Sequence, residues 1–355
     1  MSWIGISEGR RTILAPRIVN AGSSALLTTG SIVMEMQYSA TKGAPQTVLE
    51  LDRSVQWQRL FKITLTGDDR MLIEHRQGAM ITHAMLQFPK ADRDAALRLT
   101  LSWSATDRIG LIAVENLDTG QIAQSLYREP HPWPMDDIEA LLSLRRGCRV
   151  DPTTTLLGFA DHVAPVGLKT GFAAGTLVET AKGTRPVETL RPGDEVQTSE
   201  HGMQPIRRIA RYEVPAFGRF APVQLRAPYF GLTRDLIVAP DHRLMIEGVD
   251  AEYLFGSDSV LVEARHLAKM AGAHVRENRQ TIRYVQVLLD AHVCLSVAGA
   301  WAESLYIGDL AEHPTRHATS PLAGVPERQL PRHTRIASPQ LCGYEAMVLV
   351  SALCA

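Results

Sequence analysis

Few side chains in this 355-residue chain have both the type and the spacing to do chemistry. The four cysteines, Cys148, Cys294, Cys342 and Cys354, show neither C-x-x-C spacing nor a dense framework, which argues against a zinc site or a disulfide scaffold and leaves free thiols. Asp68, Asp69, Asp107, Asn116 and Asp118 fall in turn sequences and have the oxygen chemistry that Ca²⁺ takes. The plainer reading is solvated turn residues, so no metal and no cofactor is expected. His242 ends the apolar run that begins at Leu236. An imidazole there can carry a proton near neutral pH or hold its strand by a hydrogen bond.

The elements that would position such groups are short strands. Residues 176–180 alternate apolar and polar, residues 181–183 turn the chain, and Arg191-Pro192-Gly193-Asp194 suits a β-turn with Pro second and Gly third. Further strands are expected at 206–212, 235–246 and 282–289, with a strand and a short helical piece within 251–267.

Four blocks in this region carry a resemblance: GTLVET, RPVETLRPGDEV, LIVAPDHRLMI and LLDAHVCLSVAGAWAESLYIG. In this order, across about residues 171–308, they resemble the hedgehog/intein (Hint) family, and in particular its bacterial branch with an N-terminal β-domain. The resemblance implies autoprocessing: a first residue, usually Cys and followed by Phe, attacks the preceding carbonyl and exchanges the amide for a thioester or ester. It also implies a T-x-x-H motif whose His donates a proton to the departing amide nitrogen. Aligned on Phe172, the nucleophile position is Gly171, which has no side chain. The T-x-x-H motif becomes Ala239-Pro240-Asp241-His242, so the His remains and the Thr position is vacant. His292 and the pair Glu303-Ser304 match late family positions and are expected to hold strands and turns. Thr170 is the only hydroxyl beside the vacant position, and a slip of one residue would turn its side chain to the opposite face. Splicing is excluded, because Asn20, Asn116 and Asn278 are the only asparagines and none lies at the domain's end.

Before this region the pattern has period 2 from about residue 13 to 127, with runs such as Ile32, Met34, Met36 and Leu97, Leu99, Leu101, Trp103 separated by Asp- and Gly-containing turns. Many short strands mean a sandwich or barrel. The segment LRLTLSWSATDRIGLIAVENLDTGQ is similar to concanavalin- and laminin-G-type jelly rolls, which implies architecture. Residues 135–146 have helical spacing, acids first, arginines last, and Gly147 placed for a left-handed cap. Residues 161–167 are expected as an exposed join.

The expected fold class is therefore all-β, an N-terminal jelly-roll-like sandwich followed by a Hint-type β-fold. The divisions are a sandwich with one helix at 1–167, a Hint-like domain at 168–310, and a Pro- and His-rich tail at 311–355 ending in an apolar segment. A net charge of −1 gives no long-range attraction to nucleic acid or anionic lipid. The N-terminus has no h-region of a classical signal peptide, and no apolar run reaches the roughly 18 residues that a membrane span requires. Location is cytoplasmic by default, with non-classical secretion as the alternative. The function expected is that of a Hint protein degenerate in self-cleavage, acting as a binding or structural module for a protein or a glycan. The alternatives are residual autoproteolysis near Thr170-Gly171 by an N-to-O/S acyl shift, and carbohydrate binding through the sandwich. At most a single self-processing turnover is expected.

Overall fold

Alternation decides which side of each strand is covered. In the strand Gln58–Leu65, Phe61, Ile63 and Leu65 face inward and are almost fully buried, while the residues between them are partly exposed. The computed structural model describes all residues except 1, 10, 16–24, 40–44, 55, 90–93, 168–169, 277–280 and 354–355, so Asn20, Asn278 and Cys354 lie outside the described residues. The chain divides into two compact units, Met1–Gly167 with Phe217–Arg219, and Leu168–Ala216 with Phe220–Ala355.

The first unit holds a seven-stranded sheet whose middle strands are Ala95–Ser104, Thr29–Tyr38 and Thr154–Ala160, and a five-stranded sheet running from Cys148–Val150 through Gln46–Ser54, Gln58–Leu65 and Arg70–Gln77 to Met80–Gln87. Thr29–Tyr38 pairs antiparallel with Ala95–Ser104 along its whole length. Ile32, Met34, Leu99 and Leu101 from one sheet share a core with Leu49, Phe61, Ile63 and Ile73 from the other, so the two sheets form a sandwich. Trp133 sits in this core against Phe61, Trp103 and Phe159.

Two local expectations need correction in this unit. The helix spans Met135–Leu142 rather than running to residue 146. Leu144 takes the left-handed conformation, φ 49°, and the amides of Leu144 and Arg145 bond back to the carbonyls of Leu141 and Ala140, closing the helix before Gly147 is reached. Gly147 serves another turn, where a Cβ would collide with the Asp52 carbonyl oxygen. The join at 161–167 is half-buried and packed, with Val163 alone of its residues exposed. Ser31 Oγ donates to the His162 carbonyl (2.7 Å) and accepts from the Ala164 amide (2.8 Å), Gly167 N–H donates to Glu115 Oε1 (3.0 Å), and Val166 packs on Leu111 and Ala113. The segment thus covers the face of the seven-stranded sheet opposite the core.

In the second unit, a six-stranded sheet runs in the order Arg208–Pro215, Thr281–Leu288, Phe172–Ala173, Leu236–Val238, Val223–Leu225, Ala273–Val275. An eight-stranded sheet contains the hairpin Leu177–Thr180 and Gly183–Pro186 together with Cys294–Val297 and Ala300–Glu303. The turn at 191–194 forms with Gly193 at φ 88° and the Asp194 amide on the Arg191 carbonyl (3.1 Å). Phe172, Val178, Val238, Leu244, Val285 and Leu295 build the core, and the C-terminal helix Gly343–Leu353 adds Ala346, Leu349 and Val350 to it. The single strand expected over 235–246 is two, Leu236–Val238 and Arg243–Glu247. Pro240 has no N–H for a ladder, and the His242 amide closes a turn on the Ala239 carbonyl (3.0 Å). That break aims His242 at the site. No helix among the described residues is long and apolar enough to cross a membrane.

Candidate functional site

The geometry converges on one peptide bond, between Thr170 and Gly171. Phe172 pairs with both Val238 and Val285, so the residue before it is fixed between two strands of the six-stranded sheet. The Gly171 carbonyl accepts from the Ala239 amide (2.9 Å), which ties the bond to the start of the turn that carries His242. Gly171 N–H donates to His242 Nδ1 at 3.2 Å. The Thr170 carbonyl oxygen accepts from Tyr212 Oη at 2.6 Å and from Gln286 Nε2 at 2.8 Å. Both ends of this amide are therefore engaged inside the protein, with Thr170, His242 and Gln286 all buried.

Two donors on a buried carbonyl favour negative charge on its oxygen, the arrangement that stabilises a tetrahedral adduct. The opposite end is set by tautomer. Because Nδ1 accepts, the neutral His242 ring carries its proton on Nε2, which is buried and has no hydrogen-bond partner among the described residues. Burial lowers the His242 pKa to about 4; Glu303 opposes the shift, and Arg243 and His292 add to it. At neutral pH the ring is thus an acceptor toward Gly171. Delivery of a proton to a departing Gly171 nitrogen would require the ring protonated at Nδ1.

Gly171 offers no nucleophile, and the surroundings leave no room for one. Its φ is not positive, so a side chain there meets crowding and not backbone strain. A Cβ would stand 2.8 Å from Tyr284 Cβ and 3.0 Å from Tyr212 Oη. Tyr212 and Tyr284 are a cross-strand pair whose rings lie 5.6 Å apart, and together they fill the space. Ala239 is buried beside this junction and brings no hydroxyl.

His292 lies away from the bond. Its Nδ1 accepts from the Ala337 amide (3.1 Å), so its Nε2 proton faces Glu303 Oε2 at 3.3 Å. Glu303 also accepts from the Arg243 amide (2.9 Å) and from Arg243 Nη1 (3.1 Å). Burial alone would raise the Glu303 pKa, but His292 and Arg243 outweigh it and hold the carboxyl below its usual range. Ser304 Oγ accepts from the Val293 amide (3.2 Å) and the Ser304 amide returns to the Val293 carbonyl (2.8 Å).

Tyr212 and Gln286 were not legible as site residues. The one available signal was a Gln set in the apolar stretch Tyr284-Val285-Gln286-Val287-Leu288, where a buried amide requires partners. The polar turn residues of the first unit are engaged in hydrogen bonds within that unit. Asn116 Oδ1 accepts from the amides of Asp118 and Thr119 (both 3.0 Å), Asp118 Oδ2 from the Ala96 amide (2.9 Å), and Asp107 Oδ2 from Ser104 Oγ (2.6 Å). Among the described residues no group of His, Cys, Asp and Glu is arranged to hold a metal ion.

The buried Thr170–Gly171 amide thus lies between a histidine acceptor on its N–H and two donors on its carbonyl, in an all-β unit. The chain carries a Hint domain: the Hint domain family matches residues 170–309. No curated protein matches the chain. Among solved structures, the Ruminococcus gnavus IT-sialidase CBM40 bound to α2,3-sialyllactose is 14% identical over 45% of this chain and 90% of that chain, with a TM-score of 0.29. The leech intramolecular trans-sialidase is 12% identical over 51% of this chain and 32% of that one, TM-score 0.26. The LG1–3 region of the laminin α2 chain is 11% identical over 87% of this chain and 56% of that one, TM-score 0.26. Values this low say nothing about ligand or activity.

Proposed function

We propose that this Hint domain holds its junction peptide in the manner of an autoprocessing site but does not cut it, and that the protein acts as a binding or structural module whose partner is a protein or a glycan. The observation that carries this reading is Gly171: an acyl shift requires a thiol or hydroxyl on that residue, and Tyr284 and Tyr212 occupy the place of one. Full-length protein incubated with dithiothreitol or hydroxylamine is expected to remain a single 39.1 kDa species by mass spectrometry. One observation favours a second reading, residual cleavage. The two donors on the Thr170 carbonyl support attack by an external nucleophile. Hydroxylamine, which brings its own nucleophile, would then release a fragment ending at Thr170, and that fragment would overturn the first reading.

A further inference from the structure

Away from the junction, the second unit has a cleft of about 540 Å³ between the turn at Pro192-Gly193, the strand start at Arg207-Arg208, Asp290 and the segment Arg328–Pro331. We propose that this cleft binds a small molecule through an oxyanion, a phosphate or sulfate group. The proposal does not depend on whether the Thr170–Gly171 bond is ever cut.

Charge is the first argument. Arg207, Arg208 and Arg328 line the cleft and Asp290 alone opposes them, an excess of two positive charges on a chain whose net charge is −1. The adjoining 170 Å³ hollow, which shares Gly193 and Pro205, shows the contrast: Lys182 and Arg185 there are matched by Asp194 and Glu195. The excess is therefore local to the larger cleft. Like charges lining one cleft repel, and a bound anion offsets that repulsion.

Preorganisation is the second argument. Asp290 Oδ1 accepts from Arg207 Nε at 2.5 Å, an exposed pair that engages one edge of the guanidinium and leaves the other edge open. Arg208 is half-buried, with Nη1 donating to the Arg207 carbonyl (3.1 Å) and Nη2 to Gln329 Oε1. Arg328 has no hydrogen-bond or ion-pair partner among the described residues. Each guanidinium has five donors in a planar fork that suits tetrahedral oxyanions, so donors remain on all three. The volume falls in the roughly 300–1,000 Å³ range of small-molecule sites, so the cleft has room for more than the oxyanion itself.

The test is isothermal titration of the full chain with glucose 6-phosphate and with glucose 6-sulfate, ionic strength held constant with sodium chloride. Saturable binding is expected for one or both, weakening as chloride rises and falling about tenfold or more in Arg208→Gln and in Arg328→Gln. Preference for one ester shows which of the two oxyanions the cleft selects. Should Arg208→Gln fail to fold, Arg328→Gln carries the test, since Arg328 is exposed and unpartnered. Absence of saturable binding to both esters, or binding that Arg328→Gln leaves unchanged, overturns the proposal.

Discussion

His242 is held neutral by burial, and this sets a pH dependence. Folding lowers its pKa from 6.5 to about 4, so below 6.5 the unfolded chain binds a proton that the folded ring resists. The stability tied to the neutral ring is whole above about pH 6.5 and is lost as pH falls through 4, a loss of roughly 3 kcal/mol when complete. His242→Gln keeps an acceptor for Gly171 N–H without the titration. Urea unfolding should show the variant losing less stability than the parent between about pH 7 and pH 4; equal losses would mean that the ring is not what titrates. His75, in the first unit, has a pKa lowered to about 3 by burial and by His131, so acid strains both units in the same direction. Gly171 supports a second residue-scale prediction. Gly171→Cys should cost about 1–3 kcal/mol by overpacking and yield no thiol-induced cleavage. With Tyr284→Gly to remove the opposing Cβ, and Ala239→Thr to supply the hydroxyl, dithiothreitol should release a fragment ending at Thr170, and His242→Ala should abolish the release. Cleavage by Gly171→Cys alone would show that Tyr284 does not block the position.

At the scale of elements, the join at 161–167 is a strap bonded to the seven-stranded sheet through Ser31 and Glu115 and seated by Val166. A bonded, covered backbone resists proteases, which need an extended segment free of its neighbours. Limited proteolysis should spare residues 161–167 in the parent protein, and Val166→Asp, which buries a charge against Leu111 and Ala113, should open the segment to cutting there. Rapid cleavage of the parent within 161–167 would contradict the strap. The turn at Pro240 to His242 is equally consequential, since the chain needs it to bring an imidazole to the Gly171 amide.

At the scale of the whole molecule, the described residues form two large hydrophobic cores, one including Phe61 and Leu99, the other including Val285 and Leu349. Each should unfold as its own cooperative unit. In calorimetry, Phe61→Ala should lower one transition and Leu349→Ala the other, at costs near the 2–5 kcal/mol of large core truncations. A single transition that both substitutions move equally would show that the cores unfold together. The Leu349 result also bears on the tail, whose last helix buries Ala346, Leu349 and Val350.

The sequence by itself determined the all-β class, because side-chain alternation is local and a strand written with period 2 can bury only one face. It also determined the position of His242 and the missing side chain at Gly171, since motif spacing places them along the chain without any long-range contact. The helix end differs from the sequence expectation because Gly147 is the obvious cap, and only the backbone shows Leu144 taking that role. The packing of the join was hidden for a similar reason: Pro and Gly in 161–167 signal irregular backbone, and irregular backbone can still be hydrogen-bonded and partly covered. Tyr212, Gln286 and the crowding by Tyr284 depend on the register of Arg208–Pro215 against Thr281–Leu288. Pairing between strands some 70 residues apart is a tertiary fact, so the donors on the Thr170 carbonyl and the crowding at Gly171 belong to the fold alone.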